Sequence, residues 1–381
     1  MNVTFLVYNI YGIGGTVRTV VNTANHLVNN GYKVTIISIK KTYDYPKFDI
    51  DEKIKLQPLF NTKKQFAEKT VKTLIVKILN NIPSVLIDRN ELLYKNLSLY
   101  TDFLLLKSLK KLETDIVIST FPSLNFLSAK YVKKKTIKIG QEHAQLSAHH
   151  KSIRKKIKKY YGSLNCLTVL TPKEKEDYQS FLKTPLNINV IPNGINETEF
   201  KTNYENKVIV SAGRFVYEKG YERLISLYEP IAKKYPDWEL RIYGSGIDFN
   251  LMLDTIFEKN LYNNVFLYPN TPMIMEELSK ASIFVLPSRF ESFGMVVIEA
   301  MSVGLPVISY DTYGPSNIID DAIDGYIIKM DEEKAFQEKI EQLITNHELL
   351  KKMGEHAKVK SESYLFNHIG NLWDELIKSF K

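Results

Sequence analysis

Residues 289–306 are Arg289-Phe-Glu-Ser-Phe-Gly-Met-Val-Val-Ile-Glu-Ala-Met-Ser-Val-Gly-Leu-Pro306. They follow the apolar run Ile283-Phe-Val-Leu-Pro287, which predicts a buried strand, and their closing Gly-Leu-Pro predicts a helix end before another strand. The segment is therefore expected to be strand, loop, helix, strand, with Glu291 in the loop and Glu299 in the helix. A helix that begins near Phe293 points free N–H groups and a positive dipole end into that loop, which favours an anion.

Two carboxylates that accept hydroxyl hydrogen bonds beside such a helix start suit a nucleotide sugar. Glu291 and Glu299, with seven residues between them, resemble the E-x7-E signature of the retaining family 4 glycosyltransferases. That resemblance implies that Glu291 contacts the donor sugar and Glu299 the nucleotide ribose. It also places the rest of the loop against the donor phosphates, namely Ser292, Phe293, Gly294 and Met295.

The bulk composition fits a two-domain globular protein. The chain has 381 residues, 44% hydrophobic and 25% charged, which is enough for two cores of ordinary composition. There is no apolar run of about 18 residues, and the N-terminus lacks the pattern of a signal peptide. The single cysteine, Cys166, lies in an apolar run and is expected to be a buried packing residue. Together these features predict a cytoplasmic protein.

Charge is distributed unevenly along the chain. Residues 1–190 contain 31 Lys and Arg against 14 Asp and Glu, whereas the remainder contains 20 against 29. The densest basic segment, Lys151–Tyr161, places Ile153 and Ile157 at helical spacing beneath a cationic face that includes Lys155 and Lys156. This face could lie on an anionic bilayer, bind a polyphosphate polymer, or simply be solvated. Nucleic acid is disfavoured because aromatic residues do not alternate with the basic ones.

The order of predicted elements is a repeated alternation of strands and helices. A strand at 3–10, a glycine loop, a helix to Asn30 and a second strand form a βαβ unit, and the same alternation resumes near 207. The fold class is therefore α/β with two Rossmann-like, doubly wound domains. The resemblance to family 4 implies the GT-B arrangement, in which the domains face each other across a cleft. It assigns 1–190 plus about 366–381 to an acceptor domain and 191–365 to a nucleotide-sugar domain.

Several shorter predictions define the elements within these domains. Residues 60–112 are expected to be mainly helical, including an amphipathic helix at Thr70–Leu79, and residues 332–381 are expected to be helical throughout. Thr171, which precedes Pro172, is predicted to be a helix N-cap.

Two glycine-containing loops are candidates for binding a diphosphate. The segment Gly213–Gly220 resembles the G-R-x4-K-G element of family 4, which implies that Arg214 and Lys219 hold the diphosphate. In the other half, the loop before the first helix contains glycines that allow close backbone approach. The resemblance gives donor binding to Gly14, Gly15 and Thr16, and acceptor contact to Arg18. This loop is not G-x-G-x-x-G, so a nicotinamide enzyme is disfavoured.

His143 is the histidine most strongly associated with the predicted chemistry. It follows a predicted buried strand at the position where family 4 often has a histidine near the reacting sugar, so it is expected to be catalytic with Glu291, Arg214 and Lys219. Its neighbour Glu142 could orient it or point away. On the donor side, Gly244 and Asn270 occupy positions that resemble donor-binding loops of the family.

A metal ion is not expected to take part. His149 and His150 lack further ligands at metal spacing, and the D-x-D motif at Asp49 and Asp51 lies in a polar stretch that indicates an exposed turn. We therefore predict no cofactor and no metal.

These features predict a retaining, metal-independent hexosyltransferase. It would transfer a hexose or N-acetylhexosamine from a UDP-linked donor to an anionic or lipid-linked glycan, such as a cell-surface precursor or a teichoic-acid-like polymer, at the inner face of the membrane. Two alternatives stay open at this point. One is a UDP-sugar epimerase with the same fold, and the other is a non-catalytic basic protein that binds a membrane or polyanion.

Overall fold

The structure, a computed structural model, describes residues 1–62 and 71–380. The chain divides into two compact units: unit 1 comprises Met1–Pro192 and Ile369–Lys381, and unit 2 comprises Asn193–His368. The predicted domain boundaries, at 190/191 and about 366, lie within three residues of these divisions.

Unit 1 contains a parallel sheet with helices connecting its strands. The strands are β1 (Asn2–Val7), β2 (Lys33–Lys41), β3 (Lys55–Asn61), β4 (Ile116–Ser119), β5 (Ile137–Gln141), β6 (Cys166–Val169) and β7 (Ile188–Val190). They pair in the order β3-β2-β1-β4-β5-β6-β7. The helices are α1 (Gly15–Asn29), α2 (Val71–Asn81), α3 (Leu99–Lys111), α4 (Pro122–Tyr131), α5 (Lys151–Tyr160) and α6 (Pro172–Phe181). Cys166 is fully buried in β6, and burial raises the pKa of its thiol to about 11.

Unit 2 repeats this architecture. Its strands are β8 (Val208–Arg214), β9 (Glu239–Ser245), β10 (Val265–Tyr268), β11 (Ile283–Leu286), β12 (Val307–Tyr310) and β13 (Gly325–Ile328). They form a parallel sheet in the order β10-β9-β8-β11-β12-β13. Its helices are α7 (Tyr221–Lys234), α8 (Phe249–Glu258), α9 (Ile274–Ser279), α10 (Met295–Ser302), α11 (Pro315–Ile318), α12 (Glu333–Thr345) and α13 (His347–Glu362).

Both sheets reverse their strand order at one point, as the predicted doubly wound fold requires. In unit 1 the reversal lies between β1 and β4, and in unit 2 between β8 and β11. Ligands of open parallel sheets bind outside the carboxyl ends of the strands at this switch point. The loops that follow β8 and β11 contain the predicted diphosphate and sugar residues, so the topology places them where a ligand is expected.

The last helix joins the two units in sequence. Helix α14 (Phe366–Lys378) begins in unit 2, and its residues from Ile369 belong to unit 1. Within unit 1, Asp374 accepts a hydrogen bond from Asn30 Nδ2 at 2.9 Å and lies 3.5 Å from His26 Nε2. A Cβ at Gly370 would lie 2.4 Å from the His26 ring, so the helix packs closely against α1.

Three local predictions need correction or comment. Strand β3 was not predicted, because it is an edge strand with only one buried residue and contains Pro58, which interrupts strand pairing patterns. The stretch from residue 332 is helical as predicted and is divided into three successive helices, of which Asn346 caps the second by accepting from Leu349 N at 3.0 Å. Thr70, the predicted start of α2, lies outside the described residues.

Thr171 is the N-cap of α6, as predicted, and the cap includes a buried carboxylate. Thr171 Oγ1 accepts from Glu174 N at 3.2 Å, and Glu174 Oε2 accepts from the N–H groups of Leu170 and Thr171 at 2.8 and 3.2 Å. Glu174 is fully buried, and its other oxygen finds no hydrogen-bond partner in the described part of the chain. Burial, with a contribution from the charge of Glu142, raises the pKa of Glu174 to about 7.

We expect Glu174→Gln to stabilise the protein at about pH 8 and to leave its stability nearly unchanged at about pH 4.5. A carboxyl whose pKa is raised on folding binds more protons in the folded state, so stability falls as pH rises through the window between its unfolded and folded pKa. The amide removes that loss, which is of the order of 3 kcal/mol for a shift of this size. Thermal unfolding at both pH values measures it, with the exposed Glu176→Gln as control. An equal change at both pH values would contradict the assignment.

Candidate functional site

The predicted strand, loop and helix around Glu291 are present in unit 2. Strand β11 ends at Leu286, and the loop that follows leads to Gly294, which has a φ of 94° at the N-cap of α10. This left-handed conformation favours glycine and explains why the helix begins at Met295 rather than near Phe293. Free N–H groups at this helix start point toward the loop that contains Glu291.

The loop after β11 contacts the loop after β8 through an ion pair. Lys219 Nζ donates to Glu291 Oε2, and the two side chains are only 16% and 13% exposed. Lys219 lies at the end of a single 3-10 turn, Tyr217–Lys219, that follows β8. The structure therefore brings together two residues that were predicted to be catalytic.

Backbone contacts reinforce this link between the two loops. The carbonyl of Glu218 accepts from the N–H groups of Arg289 and Phe290 at 2.8 and 3.3 Å. The Arg289 guanidinium donates to the carbonyl of Tyr217 at 2.8 Å and to Glu222 Oε1 at 2.5 Å. These contacts were not predicted, because nothing in the spacing of residues 217–222 identifies 289 as their partner.

Gly220 and Gly314 allow their backbone segments to lie close to the loop after β11. Gly220 has a φ of 67°, and a Cβ there would lie 2.5 Å from the carbonyl oxygen of Pro287. A Cβ at Gly314 would lie 2.1 Å from the carbonyl oxygen of Phe293, and Gly314 N donates to the carbonyl of Glu291 at 2.9 Å. The backbone on either side of Glu291 is thus held by neighbouring chain segments.

The other predicted residues of unit 2 lie near these loops or at strand ends. Arg214 ends β8 with an exposed side chain, and Asn270 is exposed after β10. Gly244 lies within β9, where a Cβ would come to 1.9 Å from the Gly213 carbonyl oxygen, so this glycine is required for strand packing. Glu299 lies in α10 and is only 6% exposed.

The remaining loop residues differ in their exposure. Ser292 and Met295 are half-buried, whereas Phe293 is 4% exposed and its ring packs edge-on against Tyr364, with centroids 6.1 Å apart. The Phe293 side chain therefore has a packing role in unit 2. Any donor contact of Phe293 would have to use its backbone.

The glycine loop of unit 1 follows β1, as predicted. Gly14 has a φ of 155° and a ψ of 161°, a region that glycine alone occupies readily, and it is exposed together with Gly15. Thr16 and Arg18 are half-buried in the first turn of α1, where Arg18 N donates to the Gly14 carbonyl at 3.0 Å. The N-terminal N–H groups of α1 therefore lie at the carboxyl end of β1, next to the switch point of unit 1.

His143 lies just beyond the end of β5. Its Nε2 atom is buried and finds no hydrogen-bond partner among the residues described. Burial lowers the pKa of His143 to about 4, so its imidazole is neutral near pH 7. A neutral ring with an unpaired nitrogen can exchange a hydrogen bond with a ligand hydroxyl.

Glu142 points away from His143 into a buried polar network, which was one of the two predicted possibilities. Its side chain is 1% exposed and contacts His149 Nε2 at 3.1 Å. The pairing of His149 with Glu142 was missed, since His149 was considered only as a metal ligand.

Across residues 1–62 and 71–380, no group of three or more His, Cys, Asp or Glu side chains is arranged to hold a metal ion.

Helix α5 places the apolar stripe of the basic segment in the core of unit 1. Ile153 and Ile157 are 2% and 0% exposed and belong to the core of unit 1, so this apolar stripe is not available to a bilayer. Lys155, on the opposite face, is exposed, whereas Lys156 flanks the apolar stripe and forms an ion pair with the buried Asp88 at 2.8 Å. Burial opposes ionisation of Asp88, yet hydrogen bonds from Lys156, the backbone at Asn90 and Ser152 hold its pKa at about 2.

Comparison with known families assigns both halves of the chain. The glycosyltransferase family 4 model matches residues 13–199, and the glycosyl transferases group 1 model matches residues 195–360. An uncharacterized glycosyltransferase of Haemophilus influenzae is 27% identical over 98% of this chain and 99% of its own length. A poly(ribitol-phosphate) alpha-N-acetylglucosaminyltransferase of Staphylococcus aureus is 31% identical over 59% of this chain and 47% of its own length.

The fold is also similar to solved structures. A mutant of TarM from S. aureus, in complex with fondaparinux, alpha-GlcNAc-glycerol and UDP, matches with a TM-score of 0.76 and 21% identity over 99% of both chains. This likeness shows the GT-B fold, as predicted. The two family models, which together span residues 13–360, show that the chain belongs to the family 4 glycosyltransferases, with a group 1 module in its second half.

Proposed function

We propose that this transferase moves a hexose or N-acetylhexosamine from a UDP-linked donor to a hydroxyl of a cell-surface glycan precursor or teichoic-acid-like polymer. The observation that carries the proposal is the Lys219–Glu291 pair at the switch point of unit 2. An ammonium for a diphosphate and a carboxylate for sugar hydroxyls stand side by side there, beside the start of α10. The S. aureus relative named for poly(ribitol-phosphate) and the TarM complex with UDP support the class of acceptor and donor.

Negative charge develops on the leaving diphosphate during transfer, and positive groups beside it stabilise that charge. Lys219 and Arg214, together with the N–H groups at the start of α10, are placed on the loops and strand end that could supply it, so the transfer needs no metal in this proposal. Glu291 would then exchange its contact with Lys219 for the hydroxyls of the donor sugar. Glu299, buried one helix turn or more inside α10, would contact the ribose.

Retention follows from displacement on one face of the sugar. The bond from the anomeric carbon to the diphosphate oxygen breaks as the acceptor oxygen bonds to the same carbon from the same side. The acceptor proton passes to the departing diphosphate, which therefore serves as the base. His143, as a neutral imidazole, would hydrogen-bond the sugar hydroxyls and align the acceptor.

We expect calorimetry to show selective binding of UDP over GDP and ADP, undiminished by EDTA. Glu299→Ala should weaken UDP binding by roughly 10-fold or more, since a buried acceptor for the ribose hydroxyls is lost. The exposed Glu258→Ala in unit 2 is the control.

A UDP-sugar should release UDP when acceptor is added, which separates a transferase from an epimerase. Absence of any nucleotide binding would instead favour a non-catalytic basic protein.

We propose further that unit 1 binds an anionic bilayer through residues 74–111, called here the 74–111 surface. Its large apolar side chains are exposed, with Leu92 at 88%, Val85 at 72%, and Leu74, Ile75, Ile78 and Phe103 between 52% and 59%. Exposed cations lie among them: Lys77, Arg89, Lys95, Lys107, Lys110 and Lys111. No helix in the described ranges is long and apolar enough to cross a bilayer.

The acids of the 74–111 surface point inward. Asp88 and Asp102 are each 3% exposed; Asp102 accepts from Val85 N at 2.7 Å and from Leu86 N at 3.2 Å, which holds the loop that contains Val85. Glu91 is half-buried and accepts from Ser123 N at 3.2 Å. The exposed charge of this surface is therefore positive, which complements anionic lipid headgroups.

We expect the protein to sediment with phosphatidylglycerol vesicles and not with phosphatidylcholine vesicles, because both the cations and the apolar side chains are needed. Ile75→Ser with Leu92→Ser should reduce the bound fraction several-fold. Leu251→Ser with Phe257→Ser, on the exposed face of α8, is the matched control. Equal sedimentation of both double variants and wild type with phosphatidylglycerol vesicles would contradict the assignment. Self-association of the protein in place of vesicle binding would also contradict it.

A further inference from the structure

The loop that contains His143 is closed at its base by a buried ion pair. Residues 143–148 connect the end of β5 to the segment before α5, and Glu142 and His149 flank them. His149 Nε2 lies 3.1 Å from Glu142 Oε2, with the two side chains 10% and 1% exposed. The two ends of the loop are therefore joined by their side chains.

Glu142 is itself fixed by three further groups. Its Oε1 accepts from Asn125 Nδ2 at 3.1 Å and from the Tyr161 hydroxyl, and its backbone N–H donates to the Thr168 carbonyl at 3.0 Å. Asn125 Nδ2 also donates to Tyr161 Oη at 3.0 Å, and its Oδ1 accepts from Ser119 Oγ at 2.6 Å. The network thus ties the end of β5 to β4, α4, β6 and the turn after α5.

The surroundings of His149 favour its charged form. Burial lowers its pKa, but the hydrogen bond and charge of Glu142, and the charges of Glu91 and Glu174, outweigh burial and raise the pKa of His149 above its ordinary value. Tyr161 faces the same carboxylate, and burial together with Glu142 raises its pKa well above the usual range, so it stays a neutral donor. Burial also raises the pKa of Glu91 to about 7.

We propose that Glu142 and His149 are positioning residues for His143, with their ion pair setting where the imidazole stands at the end of β5. The two residues act through the loop and do not touch the substrate. The inference rests on the proposed function only for its effect on turnover, since the placement of His143 can be measured in the free protein. Loss of the charge pair releases the His149 end of the loop, while Glu142 stays held at the end of β5 by its other contacts. The release displaces a ring whose Nε2 atom has no hydrogen-bond partner among the described residues.

The first test is an NMR titration of the ring signals of the seven histidines, assigned by single substitutions. In wild type, His149 should titrate above about 6.5. In Glu142→Gln it should titrate at least about one pH unit lower, because the amide provides no negative charge. The His143 signal should shift in the same variant and in His149→Ala. A His143 signal unmoved in both variants would overturn the proposal.

The second test is turnover of a UDP-sugar. Glu142→Gln and His149→Ala should lower kcat by about 10- to 100-fold while the Kd for UDP stays within about twofold, since the proposed UDP site is in unit 2. His149→Gln, which keeps a side-chain donor, should retain more activity than His149→Ala. The control His150→Asn keeps the acceptor that caps α5 at Ser152 N and should behave as wild type. Unchanged kcat in both variants would overturn the proposal, whereas a wild type without turnover would refute the proposed function and leave the titration to decide the positioning.

Discussion

The ion pair between Lys219 and Glu291 is the interaction on which the candidate site depends. It joins the loops that follow β8 and β11, the two strands on either side of the switch point of unit 2. Both side chains are mostly buried, so removal of either one would leave the other charge without its partner in a poorly solvated place. The backbone contacts of Glu218 with Arg289 and Phe290 hold the same two loops together, which keeps the charges in register.

Under the proposed function, the pair would let one site bind both ends of a nucleotide sugar. Before the donor binds, the ammonium and the carboxylate neutralise each other. In the proposed function, a diphosphate would compete for the ammonium and sugar hydroxyls would compete for the carboxylate, so both charges would acquire new partners at once. Unit 1 has a comparable arrangement around Glu142, whose buried carboxylate contacts Asn125, Tyr161 and His149. In each unit a buried acid orders a loop at the carboxyl end of the sheet.

Much of the fold follows from local sequence, and much of the site does not. Strand β11 and helix α10 could be predicted because an apolar run, a glycine and a helical spacing occur in one segment. Strand β3 could not, because an exposed edge strand with Pro58 lacks the alternation that identifies strands. The contact between Lys219 and Glu291 spans 72 residues, and only the tertiary fold brings them together.

Which way a side chain points was harder to predict from the sequence than which helix or strand carries it. The spacing of Ile153 and Ile157 identified an amphipathic helix, but their burial in the core of unit 1 could not be distinguished from an interface with lipid. Likewise, the neighbours Glu142 and His143 point to different surroundings, as successive residues at a strand end do. His149 gained a role only through a contact across a folded loop, which no spacing rule for metal ligands would find.

A comparison of Lys219→Met, Glu291→Gln and the double variant tests this account most directly, with thermal stability and UDP-sugar turnover measured for each. We predict that Lys219→Met lowers stability because it leaves the Glu291 carboxylate without its partner. The double variant should recover part of that stability, with a coupling of roughly 1 kcal/mol or more, while its turnover stays as low as that of the single variants. Stability losses that simply add, or turnover restored in the double variant, would contradict the central role of the pair.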